Sequence, residues 1–164
     1  LGASAYKWLN AGYGNGFFMF KEAVKERIFP KAIGFNSKMG KHKEAGDTFI
    51  GKFEPGHQDT LNFGSITAAI GLVKNIGMNA IEDQIELLKN KAKEAFLERG
   101  LLSPDVSKRK IHSSIFNIKG DQKLFDKLRQ QNIICSQRGE GIRVSFHYFN
   151  TEDDLKHLLK VIGH

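Results

Sequence analysis

The order of the elements predicted from residue 79 onward limits the fold of this chain more than any other feature of its sequence. Apolar residues at helical spacing predict a helix from about Asn79 to Arg99, with Glu82 three residues after Asn79 as in a capping box. The patterns then predict a strand over 111–118, a helix over 121–131, strands over 132–136 and 141–147, and a helix after Asn150. This order predicts a small α+β domain in which helices cover one face of an antiparallel sheet.

The part of the chain before this domain is less regular. A strand, a glycine turn, a second strand and a short helix are predicted over 1–35, and the apolar, aromatic run Gly16–Phe20 predicts that the second strand is buried. Residues 36–63 are interpreted as a loop because glycine and proline interrupt them. A helix is predicted over Ser65–Asn75, and Gly77 stands where a glycine often ends a helix.

The formal net charge of +7 over 164 residues makes nucleic acid or another polyanion a partner to consider. The basic residues are dispersed, and the two densest clusters, 38–43 and 108–110, lack the interleaved aromatic residues that stack on bases. We interpret both clusters as solvated surface and expect no nucleic-acid binding. A basic module that binds nucleic acid, or a silent assembly domain, is the alternative from another functional class.

The cellular compartment is predicted from two features that the sequence lacks. No apolar run approaches the roughly 20 residues of a membrane span, and the first residues lack the pattern of a signal peptide. We expect a cytoplasmic protein without membrane association. The single cysteine, Cys135, cannot form an internal disulfide, which agrees with a reducing compartment.

Chemistry is indicated first at Lys7, which stands between Tyr6 and Trp8 and just before a cluster of glycines. Aromatic neighbours lower the local polarity and disfavour an ammonium, so that a buried amine can attack a carbonyl. Such a lysine needs a pocket built by other residues, and six residues precede it here. We therefore expect the chain to be part of a longer protein. An ordinary lysine is the other explanation.

Two segments together carry a resemblance to a known family. They are Tyr6–Gly16, with the sequence YKWLNAGYGNG, and Gly141–Leu155, with the sequence GIRVSFHYFNTEDDL. In order and separation they resemble the C-terminal part of the class V aminotransferases. These are α/β enzymes of the fold-type I pyridoxal-phosphate class, and the family includes cysteine desulfurases and kynureninases. The resemblance covers essentially the whole chain, and it implies that the N-terminal half or so of the fold lies upstream.

By this resemblance, Lys7 corresponds to the lysine that holds pyridoxal 5′-phosphate as a Schiff base. Ser4 and Tyr6 correspond to positions that face the cofactor phosphate, and no metal ligand is assigned. Arg143 corresponds to the arginine that grips the substrate carboxylate, a role that suits its planar, bidentate guanidinium. From the residues alone, a surface ion pair on a strand is the other explanation of Arg143.

A third and weaker segment is Phe53–Phe63, which lies where the family has a Gly-Thr element. The threonine of that element reaches the cofactor phosphate of the neighbouring subunit. Here His57 occupies the corresponding position and Thr60 follows three residues later. The sequence therefore leaves open whether His57, Thr60 or neither residue contacts the phosphate.

The resemblance also implies how the protein is organised. Residues 1–75 would end the large cofactor-binding domain and include an interdomain loop and helix, and residues 76–164 would form the small α+β domain. The implied substrates are an amino acid and a 2-oxo acid, and the implied assembly is a homodimer of the full-length protein. The partners of the cofactor ring would come from the upstream half, so we expect the isolated chain to be inactive.

The reaction type stays open within the family. Transamination is the leading hypothesis, and the pair Tyr6-Lys7 keeps a kynureninase-like hydrolase as the next one. A desulfurase-like lyase is the third. It is disfavoured because Cys135 lies in a strand-like run, which is typical of a buried structural thiol and not of a nucleophile on a loop.

Overall fold

The computed structural model describes residues 1–32, 49–54 and 56–163 of the chain. The chain divides into two compact units, Leu1–Asn75 and Ile76–His164, and each is described by itself. No helix within the described ranges combines the length and the apolar character needed to cross a membrane.

The first unit begins with a small antiparallel ribbon. Strand β1 (Gly2–Ser4) pairs with strand β2 (Gly16–Phe18), so that Gly2 lies opposite Phe18. A short 3₁₀ helix, Glu22–Arg27, follows. The later elements of the unit are α1 (Phe49–Phe53) and α2 (Thr60–Ile76). The predicted order of strand, turn, strand and short helix is therefore confirmed.

Two predictions in this unit are wrong. The second strand is not buried, because the ribbon has only two strands and leaves Phe18 76% and Met19 62% exposed. The segment 36–63 is not a continuous loop, since it contains α1 and the beginning of α2. The rings of Phe49 and Phe53 lie 4.9 Å apart on α1, and their packing against Phe20 stabilises a helical turn that glycine spacing does not reveal.

The second unit contains the remaining elements. Its helices are α3 (Met78–Glu98), α4 (Pro104–Ser107), α5 (Gln122–Gln130) and α6 (Glu152–Ile162). Its strands are β3 (Ile115–Lys119), β4 (Ser136–Arg138) and β5 (Gly141–Ser145). The strands form an antiparallel sheet in the order β3-β5-β4, with β5 in the centre.

Alternation along the strands separates a buried face of this sheet from an exposed one. The buried face and the apolar stripes of α3, α5 and α6 form one core, which includes Leu88, Phe96, Phe116, Ile118, Leu128, Ile142, Val144, Leu155 and Leu158. The opposite face carries the exposed residues Asn117 and Arg143. The sheet therefore presents a polar surface that no helix of the unit's core covers.

Local signals explain where the helices of this unit begin and end. Gly77 directly precedes α3, and glycine adopts its positive φ of 90° without strain, so the turn at this residue can begin the helix. The capping box predicted at Asn79 is wrong because this turn starts α3 at Met78, so Asn79 lies inside the helix. At α6, Thr151 and Asp154 do form a capping box.

The predicted strand over 132–136 is mostly wrong. Asn132 has a left-handed φ of 59°, and the N–H of Ile133 donates to the Leu128 carbonyl at 3.0 Å. These contacts end α5 and keep the next residues out of the sheet, so β4 begins only at Ser136. Cys135 therefore precedes the strand. The predicted strand over 111–118 is likewise shorter, because β3 begins at Ile115.

Candidate active site

Lys7 lies in the loop, residues 5–15, that joins β1 to β2. The backbone of the buried residue Ala5 makes two hydrogen bonds that close the loop. Its N–H donates to the Asn15 carbonyl at 3.2 Å, and its carbonyl accepts from the Ala11 N–H at 3.1 Å. Within this closure the Asn10 N–H donates to the Lys7 carbonyl at 3.2 Å, and Asn10 takes a left-handed φ of 57°. The backbone of Lys7 is therefore constrained by hydrogen bonds.

The side chain of Lys7 is exposed. Its Nζ lies 5.7 Å from the centre of the Tyr6 ring, and the rings of Tyr6 and Tyr13 are 5.3 Å apart. Ser4 is half-buried at the end of β1, three residues before the lysine. Within the described residues the aromatic neighbours lie beside the amine and do not enclose it. Burial of Lys7 in the full-length protein therefore stays a prediction.

A set of hydrogen bonds joins this loop to α2. The N–H of Gly12 donates to the Ser65 hydroxyl at 2.8 Å. The amide Nδ2 of Asn15 donates to the Asn62 carbonyl at 2.6 Å and to the same hydroxyl at 3.2 Å. Sequence reasoning missed both side chains of this set, those of Asn15 and Ser65. The one signal in the sequence is Asn15 itself, a polar residue between Gly14 and Gly16.

The start of α2 carries the two residues left open for the phosphate contact. Asp59 precedes the helix, and its carboxylate accepts hydrogen bonds from the Asn62 N–H at 3.0 Å and from the Asn62 side-chain amide at 2.6 Å. The backbone hydrogen bond, followed by the side-chain one, holds the pKa of Asp59 below its ordinary value. Thr60 is the first residue of α2, His57 lies three residues earlier, and both are exposed. Which of them meets a phosphate stays a prediction.

Arg143 lies in the centre of β5, directly opposite Asn117 on β3 and Ser136 on β4. Its side chain is exposed on the open face of the sheet. Within the described ranges Arg143 makes no ion pair, so the surface ion pair considered from the sequence is not found there. Neutral neighbours on both strands leave the guanidinium charge available for an anion.

Cys135 packs half-buried against the core of the second unit. Burial raises the pKa of its thiol, and the charge of Arg129 opposes this effect only in part. A raised pKa disfavours the thiolate, which is the reactive form. The environment of Cys135 thus favours a structural thiol, although the residue does not lie in a strand.

Only one of the two basic clusters lies within the described residues. Residues 38–43 lie outside the described residues. Residues 108–110 follow α4 and are exposed, and the Arg109 carbonyl accepts a hydrogen bond from Lys93 Nζ at 2.5 Å. No acidic, histidine or cysteine side chains within the described part of the chain are grouped so as to hold a metal ion.

Comparison with known proteins identifies the family. The sequence model of the family described as Aminotransferase class-V matches residues 1–158. The chain belongs to the class V aminotransferases. A curated relative, the uncharacterized aminotransferase YcbU of Bacillus subtilis (strain 168), is 22% identical over 165 residues. That match covers 99% of this chain and 44% of the relative, so the chain spans less than half of the relative's length. No solved structure matches the chain.

Membership of the class V aminotransferases confirms the resemblance carried by the two motifs. Class V aminotransferases are of fold type I, and the mixed helices and small antiparallel sheets of both units agree with part of such a fold. The family generally uses pyridoxal phosphate. The chemistry of the residues around Lys7 fits this group, because an exposed amine on a hydrogen-bonded loop lies close in sequence to the hydroxyl of Ser4 and the phenol of Tyr6.

Proposed function

We propose that the full-length protein is a pyridoxal-phosphate-dependent aminotransferase that takes an amino acid and a 2-oxo acid as substrates. The observation that carries this proposal is the position of Lys7. The lysine of the family motif is an exposed residue of a loop whose backbone is closed by hydrogen bonds. Such a loop restrains the backbone from which the amine extends.

Lys7 would hold the cofactor covalently through its Nζ. When bound, pyridoxal phosphate supplies an electron sink that stabilises negative charge at the substrate Cα. Once the substrate amine has released Lys7, its Nζ would accept the proton from Cα and later return it as an acid. Ser4 and Tyr6 would contact the phosphate, and their hydroxyl groups can donate the hydrogen bonds that this requires.

Arg143 would bind the carboxylate of the substrate. Its guanidinium can donate two parallel hydrogen bonds to one carboxylate, and no acidic side chain of the described residues competes for it. A fixed carboxylate sets the orientation of the Cα–H bond, which is what the proton transfer to Lys7 needs.

The assembly is also part of the proposal. We propose a cytoplasmic homodimer of the full-length protein in which His57 or Thr60 contacts the cofactor phosphate of the neighbouring subunit. Both residues are exposed, Thr60 at the start of α2 and His57 three residues before it, as a contact between subunits requires. Size-exclusion chromatography with light scattering tests the dimer, and a monomer that binds the cofactor stoichiometrically would contradict this part.

The reaction is tested by mixing the cofactor-loaded, full-length protein with single amino acids and no acceptor. Transamination releases one equivalent of the matching 2-oxo acid per subunit and bleaches the visible absorption of the cofactor. Addition of a 2-oxo acid should restore the absorption. Hydrolytic cleavage of the substrate side chain would support the hydrolase alternative, and release of sulfur from cysteine would support the lyase. The variant Lys7→Ala should do none of these.

A further inference from the structure

Asn15 links the start of the lysine loop to α2. The residue is only 8% exposed, and burying an amide is unfavourable unless its polar atoms find partners. Its Oδ1 atom accepts no hydrogen bond within the described residues, so the Nδ2 atom makes the contacts of this side chain. The Nδ2 atom donates to the Asn62 carbonyl at 2.6 Å and to the Ser65 hydroxyl at 3.2 Å, both on α2. The backbone carbonyl of the same residue accepts the Ala5 N–H at 3.2 Å. One residue therefore connects the beginning of the loop to the helix.

Ser65 links the end of the same loop to α2. Its hydroxyl accepts from the Gly12 N–H at 2.8 Å and from the Asn15 amide, and it donates to the Asn62 carbonyl at 2.5 Å. These contacts use the single donor and both acceptor positions of a hydroxyl. The approach is close, since a Cβ atom on Gly12 would stand 2.5 Å from Asn62 Oδ1.

We propose that Asn15 and Ser65 are positioning residues that hold Lys7 for its reaction. Lys7 lies between Ala5, which Asn15 fixes, and Gly12, which Ser65 fixes. Both ends of its loop are thus tied to α2, so the helix restrains the backbone from which the lysine side chain extends. The inference rests on the proposed function, because a position matters only if Lys7 reacts. Misplacing a reacting group by about 1 Å can lower a rate by up to about 10²-fold.

The test compares four variants of the full-length protein with wild type. Asn15→Ala and Ser65→Ala each remove part of the network. Ser65→Thr keeps the hydroxyl, and Thr67→Ala removes an exposed hydroxyl of α2 outside the network. For each protein we would measure hydrogen–deuterium exchange of residues 5–16 without cofactor, the pH dependence of the visible absorption with cofactor, and kcat and KM with an amino acid.

We expect the two disrupting variants to exchange residues 5–16 about tenfold faster, as the loss of one hydrogen bond predicts. Their visible absorption should titrate at a different pH, and kcat should fall about tenfold or more while KM changes little. Ser65→Thr and Thr67→Ala should resemble wild type in every measurement.

Unchanged exchange in both disrupting variants would overturn the inference, because the network would then not hold the loop. Faster exchange with an unchanged kcat and an unchanged titration would also overturn it, since the network would only stabilise the fold. A wild-type protein without visible absorption would instead contradict the proposed function on which the inference rests, while the exchange data would still report on the network itself.

Discussion

The N–H of Gly12 donates to the hydroxyl of Ser65 at 2.8 Å, and this bond ties the glycine turn after Lys7 to the second turn of α2. The absence of a side chain permits this approach, because a Cβ on Gly12 would also stand 3.0 Å from the Ser65 oxygen. Packing therefore favours glycine at this position, whereas Gly14, two residues later, has a left-handed φ of 81° and open space around it.

The substitution Gly12→Ala should destabilise the protein by about 1–3 kcal/mol, the usual cost of forcing extra atoms into a packed site. Gly71→Ala is the matched control, because nothing lies within 4 Å of its Cβ position and alanine favours a helix interior by about 0.5–1 kcal/mol. Urea unfolding of the full-length protein measures both changes. Effects of the same sign and size would contradict the packing described for Gly12.

Arg143→Lys should lower kcat/KM for an amino acid by about 10²–10³-fold, or ~3–4 kcal/mol, because lysine offers a point charge in place of a bidentate fork. The visible absorption of the cofactor should stay unchanged. An amine substrate without a carboxylate should react equally well with both proteins. Arg109→Lys, an exposed substitution in the same unit, is the control and should have no effect.

Loss of cofactor binding or of folding in Arg143→Lys, without a defect specific to the carboxylate, would show that Arg143 has a structural role on β5. The assignment of Lys7 would not be affected by that result, because the two residues are assigned from separate motifs.

The start of α6 should lose stability in acid. The N–H of Thr151 donates to the Asp154 carboxylate at 2.8 Å, and this bond is the main cause that lowers the pKa of Asp154. Because the folded-state pKa is depressed, the stabilisation is complete above the unfolded pKa of about 3.9 and is lost as the pH falls through the lower folded-state pKa. Asp154→Ala should therefore cost about 0.5–1 kcal/mol at neutral pH, and progressively less as the pH falls below the unfolded pKa.

Asp153→Ala is the matched control for this prediction. It removes an acidic side chain of the same helical turn and an exposed ion pair with Lys156, but it leaves the capping box intact. Its effect should be smaller, at most about 0.5 kcal/mol. Urea unfolding between pH 2.5 and 7 measures both variants, and equal effects at all pH values would argue against a role of the Asp154 hydrogen bond.

Cys135 should react slowly with iodoacetamide in the native protein, about tenfold or more below its rate in urea, because burial disfavours the thiolate. Cys135→Ala should retain transamination. Mass spectrometry of the alkylated protein follows the first result, and a coupled assay follows the second. Fast alkylation of Cys135 together with sulfur release from cysteine would instead favour a desulfurase-like lyase.

Elements with regular patterns could be predicted from the sequence, and elements that depend on distant contacts could not. The apolar stripes of α3 and α6 are long and regular, so both helices were predictable. Helix α1 was not, since Phe49 and Phe53 pack on Phe20 from far along the chain. The beginning of α2 was missed because Gly64 resembles a helix breaker, although it lies inside the helix.

In the candidate site too, residues in local motifs could be predicted and contacts between distant residues could not. Lys7 and Arg143 each lie in a local motif, so sequence reasoning could find them. The hydrogen bonds from Gly12 and Asn15 to α2 join residues that are 47 to 53 positions apart in the sequence. No local sequence pattern predicts such bonds. Exposure of Lys7 was not predictable either, because aromatic neighbours in sequence need not enclose a side chain in space.

The central claim is that Lys7 holds pyridoxal phosphate, and reductive trapping tests it most directly. The full-length protein would be incubated with pyridoxal 5′-phosphate, reduced with borohydride, digested and mapped by mass spectrometry. We expect the phosphopyridoxyl group on Lys7, close to one per subunit, with little on the exposed control residue Lys21, and no stoichiometric label in Lys7→Ala. Label spread over many lysines, or stoichiometric label on another residue of the wild-type protein, would contradict the claim.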